Sequence, residues 1–186
     1  GAMDLQVERF ESRLLTELGL YRRADSVLAL QTFVDDDRSY FLHYLRRARI
    51  NMMAGEWGRA LGFLELLKAA DAAPFAPYRD YLEVECLIEM GEPLMACEVA
   101  ENRLEEGVPL SLTPELEGLL LEAYLEGGRT DDAIELIAVF KAKKSQRSAL
   151  APLVAKEVDI QFALGDTLAA VNAAYELSST PATYAA

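Results

Sequence analysis

Few residues of this sequence are of the types that perform chemistry, and their spacing is unfavourable for it. His43 is the only histidine, and no serine or cysteine nucleophile shares a motif with it. Cys86 and Cys97 stand in apolar helical context without a CxxC or Cys/His neighbour. We interpret them as buried free thiols, with a disulfide between them as the alternative. The chain also lacks a P-loop and a GxGxxG motif. We therefore predict no catalytic residue, no cofactor and no enzyme activity.

Carboxylates are the other candidates for chemistry. Glu85 and Glu89, and in the same way Glu122 and Glu126, lie one helical turn apart and could chelate a metal ion. Neither pair has an imidazole or a thiolate nearby, so repulsion on a solvated helix face is the simpler interpretation. Residues 35–37 are three aspartates, but the other oxygen ligands of a calcium loop do not follow, which favours a helix-capping turn. We predict no metal site.

The net charge of −13 is distributed unevenly along the chain. Sixteen acidic residues lie between positions 80 and 135, opposed there only by Arg103 and Arg129, whereas positions 9–59 carry nine arginines. Phosphate binding needs a positive field, so the acidic balance argues against a nucleic-acid partner. No stretch reaches the roughly 18 apolar residues of a membrane span, and no signal peptide is visible. These observations predict a cytoplasmic protein without membrane insertion.

A six-residue phrase recurs five times and organises the chain. It begins with glycine, ends with alanine, and stands at 19–24, 55–60, 91–96, 128–133 and 165–170. The closing alanines are 36, 36, 37 and 37 residues apart, which indicates stacked structural repeats. The glycine can end a helix in a left-handed turn, and the alanine is small enough for a second helix to pack closely on the first.

Apolar residues recur with helical spacing on both sides of every phrase, and no convincing stretch alternates with period two. Val7, Phe10, Leu14 and Leu18, for example, form one stripe, which predicts a first helix with that face buried. We predict ten helices and no strand. They would form one domain over 4–178, with hairpins at about 5–37, 38–76, 77–112, 113–148 and 149–178. We interpret 1–3 as a tag remnant and 179–186 as a frayed tail.

The phrases and their spacing resemble the tetratricopeptide repeat over nearly the whole chain. The shared features are a helix, a bend that begins with glycine, an aromatic residue such as Trp57, and an alanine in the second helix. The sequence departs from the family in its first helices, where leucine is usual, at Glu11, Arg47, Glu83 and Glu157. The repeats are also two or three residues longer than the usual 34 or so. Pentatricopeptide repeats, which bind RNA, are the neighbouring family by period, but they need a basic surface.

The resemblance implies an all-α fold, a right-handed superhelix (solenoid) of about five antiparallel hairpins whose first helices line a concave groove. By the family's inward positions, the groove would contain Arg9, Arg13, Leu42, Leu45, Arg49, Met52, Met53, Tyr78, Tyr81, Glu85, Ile88, Glu89, Glu122, Leu125 and Glu126, followed by Asp159 and Phe162. Such a groove has a positive end, an apolar middle and a long negative stretch. The alternative for the apolar members is inter-repeat core, and for the charged members it is an ordinary solvated face.

These features predict a non-catalytic protein–protein interaction module or scaffold. Its partner would be a peptide or an amphipathic helix of another protein, with basic residues opposite the acidic stretch. One alternative is a chaperone like those of bacterial secretion systems, which keep an exported subunit soluble. Another is a structural spacer or assembly subunit that uses its convex faces or ends, and a homodimer through the end faces stays open.

Overall fold

The computed structural model describes residues 2–30, 37–68, 75–143 and 147–179. Within these ranges the chain is all-α, with ten helices and no strand, which confirms the prediction from apolar periodicity. The helices are α1 (Ala2–Glu17), α2 (Tyr21–Ala29), α3 (Asp37–Met53), α4 (Trp57–Lys68), α5 (Ala76–Glu89), α6 (Pro93–Glu106), α7 (Thr113–Glu126), α8 (Thr130–Lys143), α9 (Arg147–Ala163) and α10 (Thr167–Ser179). The chain divides into two compact units between Ala123 and Tyr124, inside α7.

Two predicted features fall largely outside the described residues. Of the aspartate run at 35–37, only Asp37 is described, and it begins α3. Of the predicted tail at 179–186, only Ser179 is described, and it ends α10. At the other end of the chain, α1 begins at Ala2, within the predicted tag remnant.

Each recurring phrase is a tight bend between two helices, and the five bends share one geometry. The bend glycines, Gly19, Gly55, Gly91, Gly128 and Gly165, have φ between +71° and +79°. At the second bend the Gly55 N–H donates to the Met52 carbonyl (2.9 Å) and the Glu56 N–H donates to the Asn51 carbonyl (2.8 Å). The same two bonds recur at the other four bends. They satisfy the last carbonyls of the first helix, and glycine adopts the required left-handed conformation at little cost.

The closing alanines lie in the first turn of the second helix of each hairpin. All five, Ala24, Ala60, Ala96, Ala133 and Ala170, are at most 1% exposed. At the second bend the Ala60 N–H donates to the Glu56 carbonyl (3.0 Å), so the new helix starts directly after the bend. A methyl group lets the two helices approach closely, as the sequence predicts. The helices pack in this way as α1 with α2, α3 with α4, α5 with α6, and α9 with α10.

We expect Gly55→Ala to lower the free energy of unfolding by about 1–2 kcal/mol, the cost of the left-handed conformation for a residue with a Cβ. No other atom lies within 4 Å of the Cβ that this change would add, so the loss would be conformational. Gly62 in α4 is the matched control, because its added Cβ also meets nothing within 4 Å. There alanine should stabilise the helix by about 0.5–1 kcal/mol. Urea denaturation of both variants tests this, and effects of the same sign would contradict it.

The apolar core of the first unit lies between hairpins as well as within them. One cluster joins α1, α2 and α3 through Leu15, Ala24, Leu28 and Ile50. A second cluster joins α3, α4 and α5, and its buried members are Phe41, Leu45, Ala48, Met52, Ala60, Leu64, Leu67, Leu82 and Cys86. Because each cluster takes side chains from a hairpin and from the next helix along the chain, neighbouring hairpins share one core.

Three residues of the stripe that the sequence predicts to be buried on the first helix are exposed, and the side chain of the fourth, Val7, lies outside the described residues. Phe10, Leu14 and Leu18 are 68%, 45% and 65% exposed, so that prediction was wrong. The face of α1 that packs against α2 carries Ser12 and Leu15 instead, and the Ser12 hydroxyl donates to the Ala24 carbonyl (3.3 Å). The helix α1 packs against α2 through this face, and Phe10 and Leu14 lie on a different one.

An ion pair joins the first two hairpins at a position where the family pattern has leucine. The Asp25 carboxylate in α2 accepts two hydrogen bonds from Arg47 in α3, at 2.7 and 3.2 Å, and one from Arg59 in α4 at 3.0 Å. The side chains of Asp25 and Arg47 are 5% and 14% exposed. The Arg47 guanidinium also lies 4.3 Å from the centre of the Phe63 ring. This departure from the family pattern therefore forms a contact between hairpins.

Glu83 and Glu157, which also stand where leucine is usual, form two ion pairs that are equivalent to each other. Lys68 Nζ of α4 donates to Glu83 of α5 at 2.6 Å, and Lys141 Nζ of α8 donates to Glu157 of α9 at 3.0 Å. Each lysine lies 13 residues after a bend glycine, and each glutamate lies eight residues before one. One contact thus recurs at the same position of two repeats, once in each unit. Glu11, the remaining departure, is exposed.

Candidate functional site

A groove runs along the first helices of the hairpins in the first unit. Its larger part, about 700 Å³, lies between α1 and α3 and extends to α5. Its smaller part, about 410 Å³, lies between α3 and α5 and extends to the start of α7. Arg49, Met53 and Tyr78 line both parts, so the two adjoin. We call this the first-helix groove. Its lining residues are Phe10, Ser12, Arg13, Thr16, Glu17, Leu42, Leu45, Arg46, Arg49, Ile50, Met52, Met53, Tyr78, Tyr81, Leu82, Glu85, Ser111, Leu112 and Glu115.

The middle of the first-helix groove presents apolar side chains to solvent. Leu42 and Met53 of α3 are 45% and 52% exposed. The half-buried rings of Tyr78 and Tyr81 on α5 lie nearly parallel, with centroids 6.3 Å apart. Exposed apolar groups at the floor of a concave surface favour the burial of an apolar ligand group.

One end of the groove is cationic. Arg13 of α1 pairs with Glu17 at 3.0 Å, and both side chains are mostly exposed. Arg49 of α3 is exposed, and its charge acts on Glu85 of α5. The Arg46 side chain lines the same part. A carboxylate of a bound partner would therefore meet guanidinium groups here, which bind carboxylates well.

The other end of the groove is anionic. Burial raises the pKa of Glu85, the charge of Arg49 lowers it in part, and the charges of Glu89 and Glu122 raise it further. Burial also raises the pKa of the neighbouring Tyr81, and the carboxylates of Glu85 and Glu115 add to that shift. A cation bound beside Glu85 would relieve this mutual repulsion.

Nine of the fifteen side chains predicted to line a groove do so in the first unit: Arg13, Leu42, Leu45, Arg49, Met52, Met53, Tyr78, Tyr81 and Glu85. Among these, Leu45 and Met52 are buried members of the core, so the core alternative applies to them. Ile88 is also buried, at 7% exposed. Outside the lining set, Glu89, Glu122 and Glu126 are exposed and Leu125 is half-buried. Leu125 and Glu126 lie in the second unit, and the Arg9 side chain lies outside the described residues.

Several lining residues were not among the predicted set. Glu115 could have been found, since it lies 13 residues before Gly128, as Leu42 and Tyr78 do before their own bend glycines. Apolar periodicity predicts Phe10 on a buried stripe instead. Ser111 and Leu112 belong to the connection between α6 and α7, and no repeat position predicts them.

The residues first considered for chemistry lie in packed surroundings. Both cysteines are free and buried, so the disulfide alternative does not hold. Burial, followed by the charges of Glu85 and Glu83, raises the pKa of the Cys86 thiol to about 12. A thiol of that pKa is not a nucleophile at neutral pH. His43 is 9% exposed and meets the Tyr44 ring edge-on at 5.2 Å. Within the described ranges, no group of three or more His, Cys, Asp or Glu is placed to hold a metal ion.

In the part of the chain that the structure describes, every helix is too short or too polar to cross a lipid bilayer. The chain matches no protein-family model, and no curated protein is significantly similar to it in sequence. The geometry and charge of the first-helix groove are therefore the basis for inferring a function.

Proposed function

We propose that this chain is a protein–protein interaction module without catalytic activity, which binds a segment of a partner protein in the first-helix groove. The observation that carries the proposal is a continuous groove in which exposed apolar side chains lie between charges of opposite sign. Apolar groups would supply affinity, while the flanking charges would orient the bound segment and accelerate its association.

The length of the groove favours a polypeptide as the ligand. It extends from α1 past α3 and α5 to the start of α7, which is three steps between first helices. Packed helices lie about 8–10 Å apart, and three such steps correspond to roughly 24–30 Å. An extended segment of about eight or nine residues covers that distance at about 3.3 Å per residue. A helix of about 18 residues would cover it as well.

The architecture that we propose for the whole chain is a tetratricopeptide-like, right-handed solenoid of five hairpins. Its support is the identical geometry of the five bends, the five buried alanines, and the ion pair that recurs at equivalent positions of two repeats. A stack of this kind presents its first helices on one concave side, where a groove of this kind is expected.

Affinity capture with a matched pair of variants tests the proposed site. Met53 in the groove is 52% exposed and Met95 on α6, which does not line the groove, is 54% exposed. The wild-type chain, Met53→Asp and Met95→Asp would each be immobilised and exposed to a native lysate, with retained proteins quantified by mass spectrometry. We expect Met53→Asp to retain a specific partner at least about tenfold less well, because it puts a charge where apolar burial is needed.

Met95→Asp should retain the same partner as the wild-type chain. Equal retention by all three proteins would contradict the groove as the binding site. That result would favour the spacer alternative, in which the ends or convex faces make the contacts. A chaperone would behave as proposed here, and its partner would be an exported protein that precipitates when the chain is withheld.

A further inference from the structure

The charge of the groove reverses at one repeat position. Arg13, Arg49, Glu85 and Glu122 each lie six residues before a bend glycine, on α1, α3, α5 and α7 in turn. The sign therefore changes once, between the second hairpin and the third. The structure places Arg49 and Glu122 within electrostatic reach of Glu85, because the charge of Arg49 lowers the pKa of Glu85 while that of Glu122 raises it.

Apolar side chains lie at the point of reversal. Met53 and Tyr78 line both parts of the groove, together with Arg49. Leu42 lies on the cationic side of this point and Tyr81 on the anionic side. A ligand that buries an apolar group against Met53 thus has guanidinium groups on one flank and carboxylates on the other.

We propose that the partner segment carries its charges in two blocks, with an acidic block over Arg13 and Arg49, an apolar centre over Met53, and a basic block over Glu85 and Glu115. This inference rests on the proposed function and adds the chemical character of the bound segment and the order of its charges. A segment with only basic residues would oppose Arg49, and a segment with only acidic residues would oppose Glu85, so each would lose part of the binding energy.

The helix spacing sets the distance between the two blocks. Because α3 and α5 are in contact, Arg49 and Glu85 lie one helix step apart, roughly 8–10 Å. In an extended segment that step corresponds to about three residues, and in a helix to about six. The acidic and basic blocks should therefore flank an apolar centre of about that length.

Synthetic peptides of identical composition test the order of the charges. The first carries its glutamates at one end, its leucines in the centre and its lysines at the other end, and the second interleaves the same glutamates and lysines. A third replaces every charged residue by glutamine. In fluorescence anisotropy with the full chain, we expect the block peptide to bind about tenfold tighter than the interleaved peptide at low salt. Its advantage should shrink as salt screens the charges. Equal affinities would overturn the inference.

A charge swap in the protein provides the reciprocal test. Arg49→Glu combined with Glu85→Arg keeps the net charge and leaves an opposite charge near each position, but it makes the signs alternate along the groove. This variant should lose the preference for the block peptide. The matched control swaps the ion pair of Arg22 with Glu56, which lies outside the groove lining, and should keep the preference. A preference that survives the Arg49/Glu85 swap would contradict the inference.

A folding control and the glutamine peptide separate loss of the charge order from loss of the fold or of the groove. Because Glu85 is half-buried, circular dichroism must show that the swapped variant folds. If it does not, Arg13→Glu replaces it, since the Arg13 side chain is 79% exposed, and this variant should weaken the block peptide about threefold or more. If the glutamine peptide binds as tightly as the block peptide and Met53→Asp abolishes both, the groove stands and the charge order is wrong. If no peptide binds, both proposals fail.

Discussion

Asp25→Ala should lower the free energy of unfolding by about 3–5 kcal/mol, because it leaves the Arg47 guanidinium buried without its carboxylate. Asp25 accepts hydrogen bonds from Arg47 and Arg59, and it is one of the contacts between the first two hairpins. Trp57, the only tryptophan, packs on the adjacent core cluster, so its fluorescence during denaturation reports on this region. A loss below about 1 kcal/mol, the range of exposed pairs, would show that the ion pair is effectively solvated.

Two controls separate the buried charge from the lost contact. Arg59 is 54% exposed, so Arg59→Ala should cost about 1 kcal/mol or less. Asp25→Leu combined with Arg47→Leu removes both charges and should be close to wild type or more stable, by up to about 4 kcal/mol. A double variant as unstable as Asp25→Ala would mean that the ion pair contributes stability of its own.

Replacing the ion pair of Lys68 and Glu83 by two leucines should stabilise the chain by about 1–4 kcal/mol. The sequence already has leucine at the equivalent positions of the next repeat, Leu104 and Leu120, and Leu120 is 3% exposed. Glu83 is also 3% exposed, and its Oε2 atom is buried without a hydrogen-bond partner among the described residues. An unsatisfied carboxylate oxygen is costly, and removing it is the source of the expected gain.

The pH dependence of this gain follows from the pKa of Glu83. Burial raises that pKa above its ordinary value of 4.5, the hydrogen bond and charge of Lys68 lower it in part, and Glu65 and Asp80 raise it further. Because the pKa of Glu83 is higher in the folded state than in the unfolded state, protonation of this carboxyl favours folding. That contribution to stability is complete below the ordinary pKa and is lost as pH rises through the folded-state pKa. The advantage of the double leucine variant should therefore grow as pH rises from about 4.5. An advantage that is constant or shrinks over that window would contradict the assignment.

Lys68 and Glu83 differ in how much of the cost of burial each of them bears. Burial would lower the pKa of Lys68, but hydrogen bonds to Glu83 and Glu65 raise it above its ordinary value of 10.5. The Lys68 side chain is 40% exposed and keeps much of its hydration, whereas that of Glu83 is 4% exposed. The cost of burial therefore falls on the carboxylate. Because the pKa of Lys68 lies far above the pH range in which Glu83 titrates, Lys68 does not contribute to the expected pH dependence.

The sequence predicts the bends and the all-α class well because both depend on local rules. A glycine followed five residues later by an alanine requires only a left-handed turn and a close helix crossing, and all five bends follow this rule. The stripe of Phe10, Leu14 and Leu18 fails because burial depends on which neighbours a helix has. The sequence of α1 alone does not contain that information.

The sequence predicts nine of the residues that line the first-helix groove but does not resolve which neighbouring side chains are core instead. Met52 and Met53 are adjacent and of the same type, yet Met52 is 7% exposed in the core and Met53 is 52% exposed in the groove. A change of about 100° in helix register exchanges their roles, and apolar periodicity does not resolve it. The pair of Asp25 and Arg47 lies 22 residues apart in sequence, so no local pattern links them.

The contacts between hairpins also bear on the order in which the hairpins assemble. Repeats with identical bends can associate out of sequence during folding, or exchange between two chains. If α5 met α6 of another chain where it normally meets α4, Glu83 would face Leu104 and its buried carboxylate would have no counterion. Such a mismatch is expected to cost several kcal/mol, whereas the native neighbour supplies Lys68. Ionic contacts at some junctions, with leucines at the equivalent positions of another repeat, would thus discourage scrambled and domain-swapped assemblies that leucines at every such position would tolerate.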